Sequence, residues 1–200
     1  PRRYDHASIS IGESLFLLGG RVSQASLLRD NLEFSSSTWR SCPSMPSVPR
    51  SGARALSREA DGFVFGGETA SGIYTSRTDA LNTTLMTWRS GQPVPGPARQ
   101  GQGGQSVDTE LMVHGGGRPT TNRADRLNPL DETWTSFLSL PFPPRQSHSS
   151  PANLSALLSA AMGGEDGGGA RLTLHVGLNP AAWTALPVVP LEARKLAVGG

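Results

Sequence analysis

The chain has 200 residues, 36% of them apolar and 17% charged, with a formal net charge of +2. That charge is too small to argue for nucleic acid or a membrane surface as partner, and the apolar runs, such as residues 15–18, are far too short to span a bilayer. Gly (24) and Pro (16) make one residue in five, which suits an all-β chain with many turns better than a helical one.

The basic residues are almost all arginine, with Lys195 the one lysine. This bias reflects either the base composition of the coding sequence or a functional arginine surface, since guanidinium groups pair carboxylates in a fork that lysine cannot copy. The single cysteine, Cys42, rules out an internal disulfide or a cysteine metal cluster and favours a reducing compartment such as the cytoplasm. No signal-peptide pattern opens the chain. It starts abruptly inside a repeat, as a fragment would.

An internal period organises the rest. Glycine pairs fall at Gly19-Gly20, Gly66-Gly67, Gly115-Gly116 and Gly163-Gly164, and tryptophans at Trp39, Trp88, Trp134 and Trp183. Seven residues after each tryptophan stands a proline (Pro46, Pro95, Pro141, Pro190), and eleven after it an arginine (Arg50, Arg99, Arg145, Arg194). Arg3 opens the series. The period is near 48 residues and the repeats cover approximately 3–49, 50–98, 99–144 and 145–193; residues 194–200 read as the start of a further or truncated repeat.

Each repeat predicts four strands. In chain order they are 6–11, 15–18, 31–34 and a strand opening at Trp39; then 51–56, 63–65, 79–81 and Trp88; then 103–107, 111–113, 125–127 and Trp134; then 148–152, 157–162, 172–176 and Trp183. First strands are rich in Ser, Ala and Gly, as a crowded inner position demands. Second strands are apolar throughout, which predicts burial on both faces. A glycine pair ends each second strand, where positive φ or close backbone approach is needed. Third strands alternate more and lead into polar turns, most plainly Asn-Pro-Leu-Asp at 128–131. Each tryptophan is expected to be buried against a sheet face near the glycine pair. Gln100-Gly-Gln-Gly-Gly-Gln105 and Pro151 make the third and fourth repeats the weaker ones.

These features resemble the kelch family: the apolar strand ending in a glycine pair (Leu-Phe-Leu-Leu-Gly-Gly at 15–20), the Asn-Pro-Leu-Asp-Glu-Thr-Trp stretch at 128–134, and the proline-to-arginine segment closing each repeat. The resemblance implies an all-β fold, a kelch-type β-propeller or partial propeller of four blades, each of four antiparallel strands. Kelch propellers usually close with six or seven blades, so the chain is either part of a larger propeller or a compact four-bladed ring. Where the family has a tyrosine before the turn after the third strand, this chain has Phe34, Leu81, Leu127 and Val176.

No catalytic signature is present: no Gly-x-Ser-x-Gly, no phosphate-binding loop, no His-Glu-x-x-His. The four histidines (His6, His114, His148, His175) have no metal-ligand spacing. Copper oxidases within the family use a Tyr–Cys cross-link, and the pattern of Tyr4, Tyr74 and Cys42 does not match it. The expectation is therefore a binding module and not an enzyme, with no cofactor, no metal and no small-molecule ligand. Strands alternating in direction send the second-to-third loops and the inter-blade loops to one end. Those loops hold Arg21, Arg29, Tyr74, Arg77, Arg118, Arg123 and Arg171, either as solvated loop residues or as a surface for a protein or acidic peptide. The repeat arginines are expected to clamp one blade to the next. Asn82-Thr-Thr and Asn153-Leu-Ser are formal glycosylation sequons, and they leave an extracellular carbohydrate-associated propeller as the alternative.

Overall fold

The structure, a computed structural model, describes residues 2–69, 72–117, 119–140, 144, 146–147, 159–162, 165–166, 175–179 and 182–185. Among these residues there is no α-helix; the chain is all-β and arranged in separate antiparallel sheets. It divides into two compact units, residues 1–100 and 101–199, each holding two of the sequence repeats.

In the first unit, β1 (Ala7–Ile11), β2 (Ser14–Leu18), a small ribbon of β3 (Arg21–Ser23) with β4 (Ser26–Leu27), β5 (Asn31–Ser35) and β6 (Thr38–Cys42) make up the first repeat. Its sheet has the order β1-β2-β5-β6, a meander in which the ribbon is an excursion between β2 and β5. The second repeat gives β7 (Arg54–Arg58), β8 (Asp61–Phe65), β9 (Thr78–Asn82) and β10 (Thr87–Gly91), paired in the same succession. The β5–β6 reversal needs two residues, Ser36 and Ser37, both at positive φ, the handedness that matches the right-handed twist of the strands it joins.

The glycine pairs have a steric cause. Gly19 and Gly20 lie at φ +61° and +96°, and a Cβ on Gly19 would stand 2.7 Å from the Arg50 carbonyl oxygen. That oxygen accepts the Gly20 N–H at 2.9 Å. The pair ends the second strand so that the main chain of the next repeat can approach it.

The core of the first unit lies between its sheets. Ala7, Ile9, Phe16, Leu18 and Cys42 of the first sheet, with Met45, meet Ala55, Val64 and Leu81 of the second; Ile11, Ala53, Met86 and Trp88 pack at the margin. At Gly62 a Cβ would collide with Ile9 Cδ1, so the glycine inside β8 is what admits the isoleucine.

Three expectations are corrected here. β7 starts at Arg54, three residues later than the composition predicts, because Ser51 spends its N–H and C=O on an isolated bridge to Glu68. β8 is buried from Gly62 to Phe65, but β2 alternates, with Leu15 and Leu17 only half-buried. Phe16 and Leu18 face the second sheet while Leu15 and Leu17 face away from it. The tryptophans are not uniformly buried: Trp88 and Trp134 are half-buried, and Trp39 is 50% exposed. Trp88 packs on the sheet before it, whereas Trp39 has its ring on the side of the first sheet turned away from the second.

In the second unit, β11 (Gly103–Val107), β12 (Glu110–His114), β13 (Ala124–Asn128) and β14 (Thr133–Phe137) form a third four-stranded meander. Leu111, Met112, Val113, Ala124 and Leu127 are buried in it. β15 (Ser159–Met162), β16 (His175–Asn179) and β17 (Ala182–Ala185) form a three-stranded antiparallel sheet, and β11 lies against β15. The expected first strand of the fourth repeat, 148–152, lies outside the described residues, as do Gly163, Gly164 and residues 194–200.

Candidate binding site

Within the first unit the second-to-third connections and the inter-sheet segment emerge at one end, as strand alternation requires. Backbone hydrogen bonds tie these loops together. Gly20 N–H donates to Arg50 O and Leu28 N–H to Gly20 O; Gly67 N–H donates to Arg99 O and Thr75 N–H to Gly67 O. Met45 N–H donates to Arg29 O and Val94 N–H to Ser76 O, and in the second unit Leu140 N–H donates to Asn122 O in the same way. Met45, Val94 and Leu140 are all buried. Each stands immediately before a repeat proline, a regularity legible in the sequence but not used there.

The repeat arginine behaves as a clamp in the first unit. The Arg50 main chain is held by the loops of the first sheet, and its guanidinium crosses to Asp79 of the second at 2.7 Å. Ser47 Oγ donates to the same carboxylate at 2.6 Å. Burial pulls the Arg50 pKa down, and the Asp79 charge opposes that shift. Arg3 makes the corresponding contact in the first repeat with a different acid, Asp30, at 2.7 Å, and it also donates to the Gly19 and Asp30 carbonyls.

The seven sequence-selected loop residues separate into groups. Arg21 is buried, donating to Ser51 Oγ and pairing with Glu68 at 2.7 Å and Asp5 at 3.4 Å. It joins the two sheets and is not offered to solvent. Arg29 is exposed, and Arg77 is half-exposed with a hydrogen bond to Ser90 Oγ at 3.2 Å. Tyr74 is half-buried and bridged to Glu68. The first unit therefore brings Arg21, Arg29, Tyr74 and Arg77 to one end, two of them as accessible cations.

In the second unit Arg123 occupies the position that Arg77 has in the first: its carbonyl accepts from Gly115 N–H as that of Arg77 accepts from Gly66 N–H. Its guanidinium donates to both Asp125 oxygens, at 2.9 and 2.8 Å, and to Ser136 Oγ at 2.7 Å. Hydrogen bonding to Asp125 holds its pKa above the ordinary arginine value. The shared Arg-x-Asp spacing, Arg77-Thr-Asp79 and Arg123-Ala-Asp125, is the sequence signal that identifies this position. Arg118 and Arg171 lie outside the described residues.

The remaining chemistry is quiet. Burial, and then the Glu33 charge, push the Cys42 thiol up to about 11, so it stays protonated and weakly nucleophilic at neutral pH. Among the described residues no group of three or more His, Cys, Asp or Glu could hold a metal ion. No helix among them is long and apolar enough to cross a membrane. In the first sequon Asn82 Nδ2, the atom a glycan would take, donates to Asp61 Oδ1 at 2.8 Å; Asn153 lies outside the described residues. Comparison with known proteins found no matching family model and no matching curated protein.

Proposed function

We propose that the chain is a kelch-type β-propeller or part of one, and that it is a non-catalytic binding module whose loop end engages a protein partner through an acidic segment. The observation that carries this reading is the presentation of Arg29 and Arg77 on loops of one end of the first unit, loops braced by backbone hydrogen bonds to buried positions. A rigid frame with adjustable loops is the usual arrangement of a recognition surface, and arginine on such a frame offers carboxylates a planar fork of donors. The kelch part of the reading is supported by the four-stranded meanders at the sequence period and by the positive-φ glycine pairs that end their second strands.

The test is affinity capture with the protein and with an Arg29→Ala, Arg77→Ala variant, followed by binding of the captured partner's acidic segment by fluorescence anisotropy. Each arginine should contribute about 1–2 kcal/mol, so the double variant should bind roughly tenfold or more weakly, with its melting temperature retained. Equal capture by the double variant would remove the loop end as the binding surface.

A further inference from the structure

Three backbone hydrogen bonds close a ring at the loop end of the first unit. Gly20 N–H donates to Arg50 O at 2.9 Å, Arg50 N–H to Leu28 O at 3.3 Å, and Leu28 N–H to Gly20 O at 2.8 Å. Three loop positions stand within two residues of this ring: Val22 beyond Gly20, Arg29 beyond Leu28, and Val48 ahead of Arg50. The segment that carries Val48 is fixed at its other end too, where Met45 N–H donates to Arg29 O at 3.0 Å. Val22 is the extra residue of a bulge: Arg21 pairs with Leu27 and Ser23 with Ser26, so no residue of the β3–β4 ribbon stands opposite it. A bulge of this kind re-aims a side chain out of the ladder.

All three side chains are open to solvent, Val22 at 42% and Val48 at 53% exposure, with Arg29 exposed as well. The acids of this end are already engaged: Asp30 by Arg3 at 2.7 Å, and Asp5 and Glu68 by Arg21 at 3.4 and 2.7 Å. Arg29 makes no ion pair among the described residues. In the second repeat the same framework, Gly67 N–H to Arg99 O and Thr75 N–H to Gly67 O, carries Thr69, Ser76 and Pro97 at these places. A cation in the company of two exposed aliphatic side chains therefore belongs, within this unit, to the first repeat.

We propose that Val22, Arg29 and Val48 form one recognition subsite, and that it takes a carboxylate of the partner whose neighbouring side chains are apolar. This rests on the reading of the loop end as the surface for an acidic segment. An ion pair left in water contributes little, because solvent screens it and two long side chains must be ordered to make it. Apolar contacts around the pair exclude water and lower the local dielectric, which strengthens it. The valines supply that rim on this chain's side, and apolar residues beside the partner's acid complete it. The ring of hydrogen bonds fixes the three positions before binding, so little backbone ordering is left to offset the contacts. An acidic segment that is polar throughout gains only the exposed ion pair.

Fluorescence anisotropy with two labelled peptides tests it: Gly-Leu-Glu-Leu-Glu-Leu-Gly, and the same peptide with serine in place of each leucine. The leucine peptide should bind about tenfold or more tightly than the serine peptide. Val22→Ser together with Val48→Ser should abolish that preference and leave the affinity for the serine peptide unchanged, with the melting temperature retained. Each serine change made singly should remove part of the preference, so if the double variant fails to fold the single ones still report. Arg29→Ala should weaken the leucine peptide about tenfold. Equal binding of the two peptides, or a preference that survives both serine changes, would overturn the subsite; the loop-end reading would stand if Arg29→Ala with Arg77→Ala still weakened binding. Binding that this arginine variant leaves intact would remove the loop-end reading itself. A protein that binds neither peptide would overturn the subsite as well.

Discussion

The guanidinium of Arg50 and the carboxylate of Asp79 meet at 2.7 Å with both side chains wholly shielded from solvent. Arg50 belongs to the segment leaving the first sheet and Asp79 to the third strand of the second, so this ion pair joins consecutive repeats. It is not fully satisfied: Arg50 Nε and Nη1 have no hydrogen-bond partner among the described residues. A buried pair of this kind adds little over an apolar replacement, but removing one partner leaves an uncompensated charge inside the protein.

Arg50→Met alone is therefore expected to cost about 3–5 kcal/mol, and Arg50→Met with Asp79→Leu to recover most of that loss. Leu32 already stands at the Asp79 position in the first repeat, which shows that the sheet tolerates an apolar residue there. Urea denaturation of the two variants measures it. A double variant no more stable than the single one would mean that Ser47 and Ser90, which also bond Asp79, carry the stabilisation.

The tryptophans should not be equivalent. Trp88→Ala removes a half-buried ring from the margin of the core together with its hydrogen bond to Pro43 O, and a loss of about 2–3 kcal/mol is expected. Trp39→Ala, at a half-exposed site, should change stability by less than about 1 kcal/mol. Thermal melts compare the two variants. Equal losses would contradict the exposure of Trp39.

The acid side of the stability curve should carry His6. Burial first, then the Arg3 charge, hold its pKa below the ordinary 6.5. The unfolded chain therefore takes up this proton before the folded one does, and stability falls as pH drops through about 6.5 toward the lower folded value. Glu33 acts further down. Its carboxylate, stabilised chiefly by Arg40, has a pKa below the ordinary 4.5, so its contribution is present above that value and is lost as the pH falls through it. Chemical denaturation at a series of pH values should show His6→Gln flattening the first decline and leaving the second. An unchanged profile between pH 7 and 5 in that variant would assign the decline to another group.

Much of the fold was legible from period alone. Gly19-Gly20, Gly66-Gly67 and Gly115-Gly116 located the ends of second strands because positive φ at those points excludes other residues. The tryptophans located the fourth strands, each as the second residue of its strand. The partners of the arginines between second and third strands were not legible. Arg21 and Arg29 look alike in sequence, and one is buried against Glu68 while the other is exposed.

Repetition in the chain was enough to set the order and direction of the four sheet strands in each of the first three repeats, though not the β3–β4 ribbon, because those depend on local turn chemistry and on the spacing of apolar residues. Which face of a sheet is covered, and which arginine finds a carboxylate, depends on residues some thirty to fifty positions away, as in Arg50 with Asp79 and Arg21 with Glu68. Trp39 and Trp88 occupy the same place in their repeats and differ because only Trp88 has a neighbouring sheet to lie upon within the first unit. That difference belongs to the packing of sheets, since identical local sequence signals cannot specify what stands on the other side.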